Sequence, residues 1–252
     1  MRVAILSNSH INMIKLAATE APPAWAPTFF GAPATKMRGL VRLPRGRGLH
    51  TIDPNLKHWL SFTSGGKASI DYSDYDAFVV LGMGLRTHRA LSLFCEFQPA
   101  ALRMNRKARL ISEAAFRVEV RERMRQSTAF HVMELLADQK RPVLVIPAPI
   151  PSQTLADRAR YRWLKKGAVA ASAVAWINEV TFTECQSLAS AFNYRFASQP
   201  PEAIGRNGLA LPEHSAAAFK LTGAGYAGTD VSHMNAAFGQ IILQVIGREL
   251  GA

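Results

Sequence analysis

The chain contains little cysteine: Cys95 and Cys185 are the only two among its 252 residues. Small secreted domains that depend on disulfides use more cysteines at closer spacing, so this sequence does not fit that class. Both cysteines lie in apolar or helical stretches. We therefore expect two buried free thiols and no disulfide framework.

Long hydrophobic runs are also missing. The longest apolar stretch, "GAVAASAVAWI", has eleven residues, whereas a membrane-spanning helix needs about 20. The stretch "MRVAILSNSH" becomes polar too early for a signal peptide. The expectation is a soluble, cytoplasmic protein without a transmembrane segment. The metal-binding patterns H-E-x-x-H and C-x-x-C do not occur, so no metal and no cofactor are expected.

Acidic residues are scarce relative to basic ones. Eighteen Asp and Glu accompany thirty Lys and Arg, giving a net charge of +12. Such a surface attracts anions in general, and charge alone does not choose among nucleic acid, lipid and acidic glycan. The densest basic cluster, "RLPRGRG", offers Arg42, Arg45 and Arg47 to phosphate, sulfate or carboxylate groups; a solvated loop is the alternative. Without a recognisable nucleic-acid motif, nucleic acid is not an expected partner.

The remaining composition is that of a globular protein, with 48% apolar and 19% charged residues. We expect one domain over residues 1–252. Three apolar runs, "RVAILS", "DYDAFVVLGMG" and "RPVLVIPAPIPS", indicate buried strands separated by helical patterns. This alternation predicts an α/β fold, a three-layer flavodoxin-like parallel sheet with helices on both faces. "HWLSFTSGGKASI" suggests strand–turn–strand, residues 111–139 one long helix, and the last helix starts near Ser232.

Polar residues stand where catalysis would be expected, since active sites of parallel sheets lie at the carboxyl ends of the strands. "SNSHINM" puts Ser9 at the turn from the first strand into its helix, and "GTDVSHMN" puts Asp230 three residues before His233. This combination predicts a triad in which Ser9 is the nucleophile, His233 the base and Asp230 the acid that orients it. Helix capping by Ser9 and Asp230 is the alternative. The G-x-S-x-G elbow is absent, which argues against the α/β-hydrolase family.

The two stretches resemble the first and last blocks of the SGNH, or GDSL, hydrolase superfamily. "SNS" has Ser7 in place of the usual glycine and Asn8 in place of the usual aspartate, and "DVSHMNAAFG" matches the D-x-x-H block closely. The resemblance extends over nearly the whole chain, because the two blocks lie at opposite ends. It implies an SGNH-type fold and serine-dependent ester chemistry at Ser9.

The middle blocks depart from the family pattern. "VVLGMGLRTH" retains Gly82, but Gly84 stands where the family has an asparagine that stabilises the oxyanion. Losing one such donor costs roughly 10²–10³ in rate. We expect an oxyanion hole built from the backbone of Ser9 and of Gly82 or Gly84, with Arg86 or His88 as possible substitutes for the lost side chain.

The other glycine block of the family is assigned to "TSGG", at Gly65 or Gly66. Because His10 directly follows the nucleophile, we expect it to line the substrate pocket together with Arg86 and His88.

The predicted function is that of a serine esterase or deacylase acting on an acylated carbohydrate, and the positive charge favours an anionic one. Two alternatives use the same fold. One is an O-acyltransferase of polysaccharide biosynthesis with the same triad, and the other is a non-catalytic glycan- or nucleic-acid-binding protein.

Overall fold

The structure is a computed structural model, and it describes residues 1–220, 224–226 and 230–252. The strands, in chain order, are β1 (Arg2–Ser7), β2 (Ala26–Gly31), β3 (Val41–Arg42), β4 (Gly48–His50), β5 (Ile70–Asp71), β6 (Ala77–Leu81), β7 (Phe97–Gln98), β8 (Arg109–Leu110), β9 (Val143–Ile146) and β10 (Arg195–Phe196). The α-helices are α1 (Ile11–Glu20), α2 (Pro54–Ser64), α3 (Thr87–Glu96), α4 (Glu113–Arg125), α5 (Thr128–Leu136), α6 (Ala168–Ser190) and α7 (Ala236–Leu250).

Five parallel strands form the central sheet in the order β10-β9-β6-β1-β2. When only these five strands are numbered along the chain, the order is 2-1-3-4-5, which is the flavodoxin-like arrangement. β1 lies between two partners, with Ile5 paired to Phe29 on one side and to Val79 on the other. The predicted α/β fold with a parallel sheet is therefore confirmed.

Alternate residues of β1 face the two layers of helices, as the two-residue period of a strand requires. Val3 and Ile5 belong to the core formed with α1 and α7, whereas Ala4 and Leu6 belong to the larger core formed with α2 to α6. Both sheet faces are covered, which explains why the central strands are continuous apolar runs.

The prediction of a strand–turn–strand at "HWLSFTSGGKASI" is wrong, because these residues contribute most of α2. The Asp53 side chain caps the helix by accepting a hydrogen bond from the Asn55 N–H, and Pro54 occupies the first turn. Leu56 and Leu60, four residues apart, are fully buried. Gly65, in the left-handed conformation with φ of 77°, ends the helix.

Other element boundaries also differ from the predictions. The expected helix over 111–139 is two helices, because the Ser127 hydroxyl accepts the Phe130 N–H and starts α5. α7 begins at Ala236 and is capped by Asn235, after the expected start at Ser232. Cys185 is buried and Cys95 half-buried, and both are free thiols. Within the described ranges, no helix has the length and apolarity to cross a bilayer.

The most extensive helix–helix contact joins α1 to α7. Gly239 of α7 lies directly on the backbone of α1, where a Cβ atom would come within 2.2 Å of the Met13 carbonyl oxygen. The Gln240 amide of α7 also donates a hydrogen bond to the Ala17 carbonyl of α1. Only glycine permits this approach, so the relative position of the two helices depends on residue 239.

Replacing Gly239 with alanine should therefore destabilise the protein. Alanine is favoured over glycine by about 1 kcal/mol inside a helix, but the backbone carbonyl of Met13 cannot move away as a side chain would. We expect a net loss of about 1–3 kcal/mol in the free energy of unfolding, measured by urea denaturation. Gln244→Ala, at an exposed position of the same helix, is the control and should change stability little. A Gly239→Ala variant as stable as the parent would contradict the close contact.

Candidate active site

Ser9 lies in the turn between β1 and α1, at the carboxyl edge of the sheet. The preceding Ser7 is fully buried, and its hydroxyl donates to the Leu81 carbonyl of β6 at 2.9 Å. The turn closes when the Ile11 N–H donates to the Asn8 carbonyl at 3.0 Å. Among the described residues the Ser9 backbone N–H has no acceptor, and it lies at the N-terminus of a helix, where negative charge is favoured.

Asp230 is held by three hydrogen bonds in the segment before α7. Its Oδ1 accepts the backbone N–H groups of Ser232 at 2.8 Å and of His233 at 2.9 Å, and its Oδ2 lies 3.0 Å from His233 Nδ1. Burial opposes ionisation of this carboxyl group, but the hydrogen bonds from His233 and Ser232 outweigh it and hold the Asp230 pKa well below its usual value. Asp230 is therefore a fixed anion beside the imidazole.

His233 connects Asp230 to Ser9, because its Nε2 lies 2.8 Å from the Ser9 hydroxyl oxygen. An Nδ1–H donated to Asp230 leaves Nε2 free to accept the Ser9 proton, which is the arrangement of a Ser–His–Asp triad. The structure thus brings together the three residues predicted from the sequence. Helix capping does not explain the serine at position 9, because no side chain caps α1. It does not explain Asp230 either, because the side chain that caps α7 is that of Asn235.

His10 lies behind the triad. It is 6% exposed, and its ring centroid is 5.2 Å from that of His233. Burial, together with the nearby His233 and Arg86, lowers the His10 pKa from 6.5 to about 3. Its Nδ1 has no hydrogen-bond partner among the described residues. His10 is therefore a neutral, buried neighbour of His233. From the sequence, it was expected to line the substrate pocket.

The two glycines expected in the oxyanion hole have other contacts in the structure, and Gly82 lies close to His10, whose Cδ2 would be 3.1 Å from a Cβ atom at that glycine. The Gly82 N–H donates to the Ile146 carbonyl of β9 at 2.8 Å, so the sheet occupies it and it is not available to an oxyanion. Gly84 packs between α3 and α5, where a Cβ atom would lie 2.9 Å from the Ser127 Cβ. The Gly65 and Gly66 candidates follow α2 and end that helix.

Tyr226 is a residue of the site that the sequence analysis missed. Its ring stacks on the His233 imidazole with centroids 3.8 Å apart and planes 10° apart, and the Ser9 side chain is close enough to lower the Tyr226 pKa, although burial of the phenol raises it more. The Tyr226 N–H donates to the Ala218 carbonyl at 2.9 Å. The one signal in the sequence is an aromatic residue inside the glycine-rich stretch "GAGYAG", just before Asp230.

Arg86 and His88 follow β6 at the same edge of the sheet as Ser9. Arg86 is exposed and close enough to His10 and His88 to lower the pKa of both. No carboxylate of the described residues pairs with it. His88 instead turns toward the Tyr161 hydroxyl, 2.9 Å from its Nε2, and burial and neighbouring arginines lower its pKa to about 4.

Arg42 and Arg47, which were expected to bind anionic groups of the substrate, do not lie at the Ser9 edge of the sheet. The Tyr72 N–H donates to the Arg47 carbonyl just before β6 begins, which places the cluster at the amino edge of the sheet. Arg42 is engaged there by the Glu134 and Leu135 carbonyls at the end of α5 and by Asp138. The Arg45 side chain lies outside what the structure describes.

One cavity borders the triad and a second lies farther along α1. The first, of about 240 Å³, borders Tyr226 and Asp230 and is otherwise lined mainly by small residues of 215–218. The second, of about 450 Å³, extends along α1 from Asn12 to Glu20 beside the first turn of α7. Such volumes suit a small acyl or sugar group. Across the described part of the chain, no three His, Cys, Asp or Glu side chains are grouped to hold a metal ion.

Comparison of the chain with protein-family models, curated proteins and solved structures gives no match.

The low pKa of His10 predicts a dependence of stability on pH. Between pH 6.5 and 3, His10 is protonated in the unfolded chain and neutral in the folded protein. The free energy of unfolding therefore falls as the pH falls through this window. His10→Asn should remove about 2 kcal/mol of the stability difference between pH 7 and pH 5, measured by urea denaturation at both values. His58→Asn, at an exposed position, is the control. Parallel pH curves for the parent and His10→Asn would show that His10 is not the titrating group.

Proposed function

We propose that the protein is a serine-dependent ester hydrolase of the SGNH type. The observation that carries this proposal is the continuous contact from Ser9 through His233 to Asp230, with 2.8 Å and 3.0 Å between successive polar atoms. The strand order, the Ser9 turn after the first strand and the D-x-x-H segment before the last helix support the SGNH type. The buried hydrogen bond of Ser7 to Leu81 accounts for a serine at the usual glycine position.

The triad would act in two steps. Ser9 Oγ attacks the acyl carbon while His233 Nε2 takes the hydroxyl proton, and the resulting oxyanion is stabilised by the Ser9 N–H. His233 then gives the proton to the departing alcohol, leaving an acyl-serine. A water molecule, deprotonated by His233, attacks this ester, and His233 then gives that proton to Ser9 Oγ as the acyl–oxygen bond breaks and the acid is released. Asp230 holds the imidazole orientation throughout and offsets its positive charge.

We further propose that the substrate is an anionic acyl ester of a carbohydrate. Arg86 is the cation that supports this, because it is exposed at the Ser9 edge and no described carboxylate neutralises it. Lys220 adds a second positive group, with its Nζ 5.8 Å from the centre of the Tyr226 ring. The small cavity beside Asp230 and Tyr226 fits a short acyl group.

The nucleophile can be tested with a fluorophosphonate probe, which labels activated serines. The label should be found on Ser9 by mass spectrometry, and Ser9→Ala should lose it together with at least about 10³-fold of the esterase activity. Ser215→Ala, which removes another hydroxyl near the triad, should be labelled and active like the parent. Labelling of another serine, or full activity of Ser9→Ala, would contradict the proposal.

The anionic substrate can be tested with a matched pair of arginine variants. Arg86→Gln should raise the KM of an anionic nitrophenyl ester such as the hemisuccinate about two- to fivefold, as expected for one exposed ion pair. The KM of the neutral acetate should not change. Arg47→Gln removes the same charge at the opposite edge and should alter neither value. The effect should diminish at high salt because screening weakens exposed pairs. Equal changes for both esters would show that Arg86 does not bind the anionic group.

A further inference from the structure

We propose that the Tyr226 hydroxyl is the second oxyanion donor of this site and thus a catalytic residue. This inference rests on the proposed ester hydrolysis. It supplies the side-chain donor that the segment around Gly84 lacks.

The proton positions around Ser9 Oγ decide what the neighbouring Tyr226 hydroxyl can do there. The Ser9 hydroxyl has one proton, which it donates to His233 Nε2, the ring on which Tyr226 stacks. Toward a neighbouring phenol, Oγ can therefore act only as an acceptor, and the phenol is the donor. When Oγ attacks the acyl carbon, it becomes an ester oxygen and a weak acceptor. The new oxyanion forms on that same carbon, next to Oγ. A small rotation of the phenol O–H then redirects its hydrogen bond from Oγ to the oxyanion.

The ring of Tyr226 is held in place while this happens. It lies parallel to the His233 imidazole at 3.8 Å, and its N–H is bonded to the Ala218 carbonyl. The Asn12 amide of α1 donates to the Phe219 carbonyl at 2.8 Å and so connects this loop to the helix that follows Ser9. A donor that is already oriented costs little reorganisation when the charge forms.

The phenol also keeps its proton. Burial raises the Tyr226 pKa above its usual value of 10, so the group remains a donor at neutral and mildly alkaline pH. The backbone alternative at Gly82 is excluded because its N–H is bonded within the sheet.

The test is Tyr226→Phe, which retains the stacked ring and removes only the hydroxyl. We expect kcat for a nitrophenyl ester to fall about 10²-fold with little change in KM, since the lost bond strengthens in the transition state. The affinity for benzeneboronic acid, which forms a tetrahedral adduct on Ser9, should fall by a similar factor. Tyr72→Phe, whose hydroxyl bonds to the Leu135 carbonyl at the opposite edge, should change neither quantity. Circular dichroism and urea denaturation check that both variants fold.

The outcomes separate this inference from the proposed function. If Ser9→Ala abolishes turnover and boronate binding while Tyr226→Phe retains both, the triad stands and the role of Tyr226 is wrong. If the parent protein neither hydrolyses esters nor binds the boronate at Ser9, the proposed function fails and this inference with it. A fall in kcat without a matching loss of boronate affinity would also overturn the oxyanion role, because the donor must act on the tetrahedral state.

Discussion

The candidate site depends on the contact between α1 and α7. Ser9 and His233 are 224 residues apart in the chain, and the two helices that follow them meet where Gly239 lies on the Met13 carbonyl. α1 in turn packs on β1, the strand with partners on both sides. An error of about 1 Å in such a geometry can cost a catalyst roughly 10²-fold in rate. A glycine at 239 therefore matters for the triad as well as for packing.

The elements that could be predicted from the sequence are those specified by nearby residues. The buried strands are continuous apolar runs, and Asp230 and His233 pair because three residues of one turn bring them together. The strand–turn–strand prediction at α2 is wrong because the signals for the start of the helix, Asp53 and Pro54, precede the apolar stretch on which the prediction relied. β10 has two residues, too few for a periodic signal. Tyr226 contacts His233 and Ser9 through tertiary structure, which no spacing in its loop encodes.

The positions of the arginines show why local charge density did not locate the site. Arg42 and Arg47 form the densest basic stretch, yet Arg42 lies in β3 and Arg47 directly precedes β4, in the small sheet of β3, β4 and β5. The Arg42 side chain contacts the carbonyl end of α5, a favourable place for a cation. Arg86 is a single arginine, but it follows the carboxyl end of β6. The position of an arginine relative to the parallel strands thus predicts whether it lies at the Ser9 edge of the sheet better than the local number of charges does.

The electrostatic setting of the triad favours the charge changes of the proposed acyl transfer. In the transition state of that proposed reaction, the imidazole of His233 gains a proton while the substrate oxygen becomes negative. Asp230, fixed by three hydrogen bonds, and the face of the Tyr226 ring both stabilise the cation. His10, held neutral by burial, adds no competing charge 5.2 Å away. Arg86 contributes positive potential from outside the triad, which favours the oxyanion and an anionic substrate together.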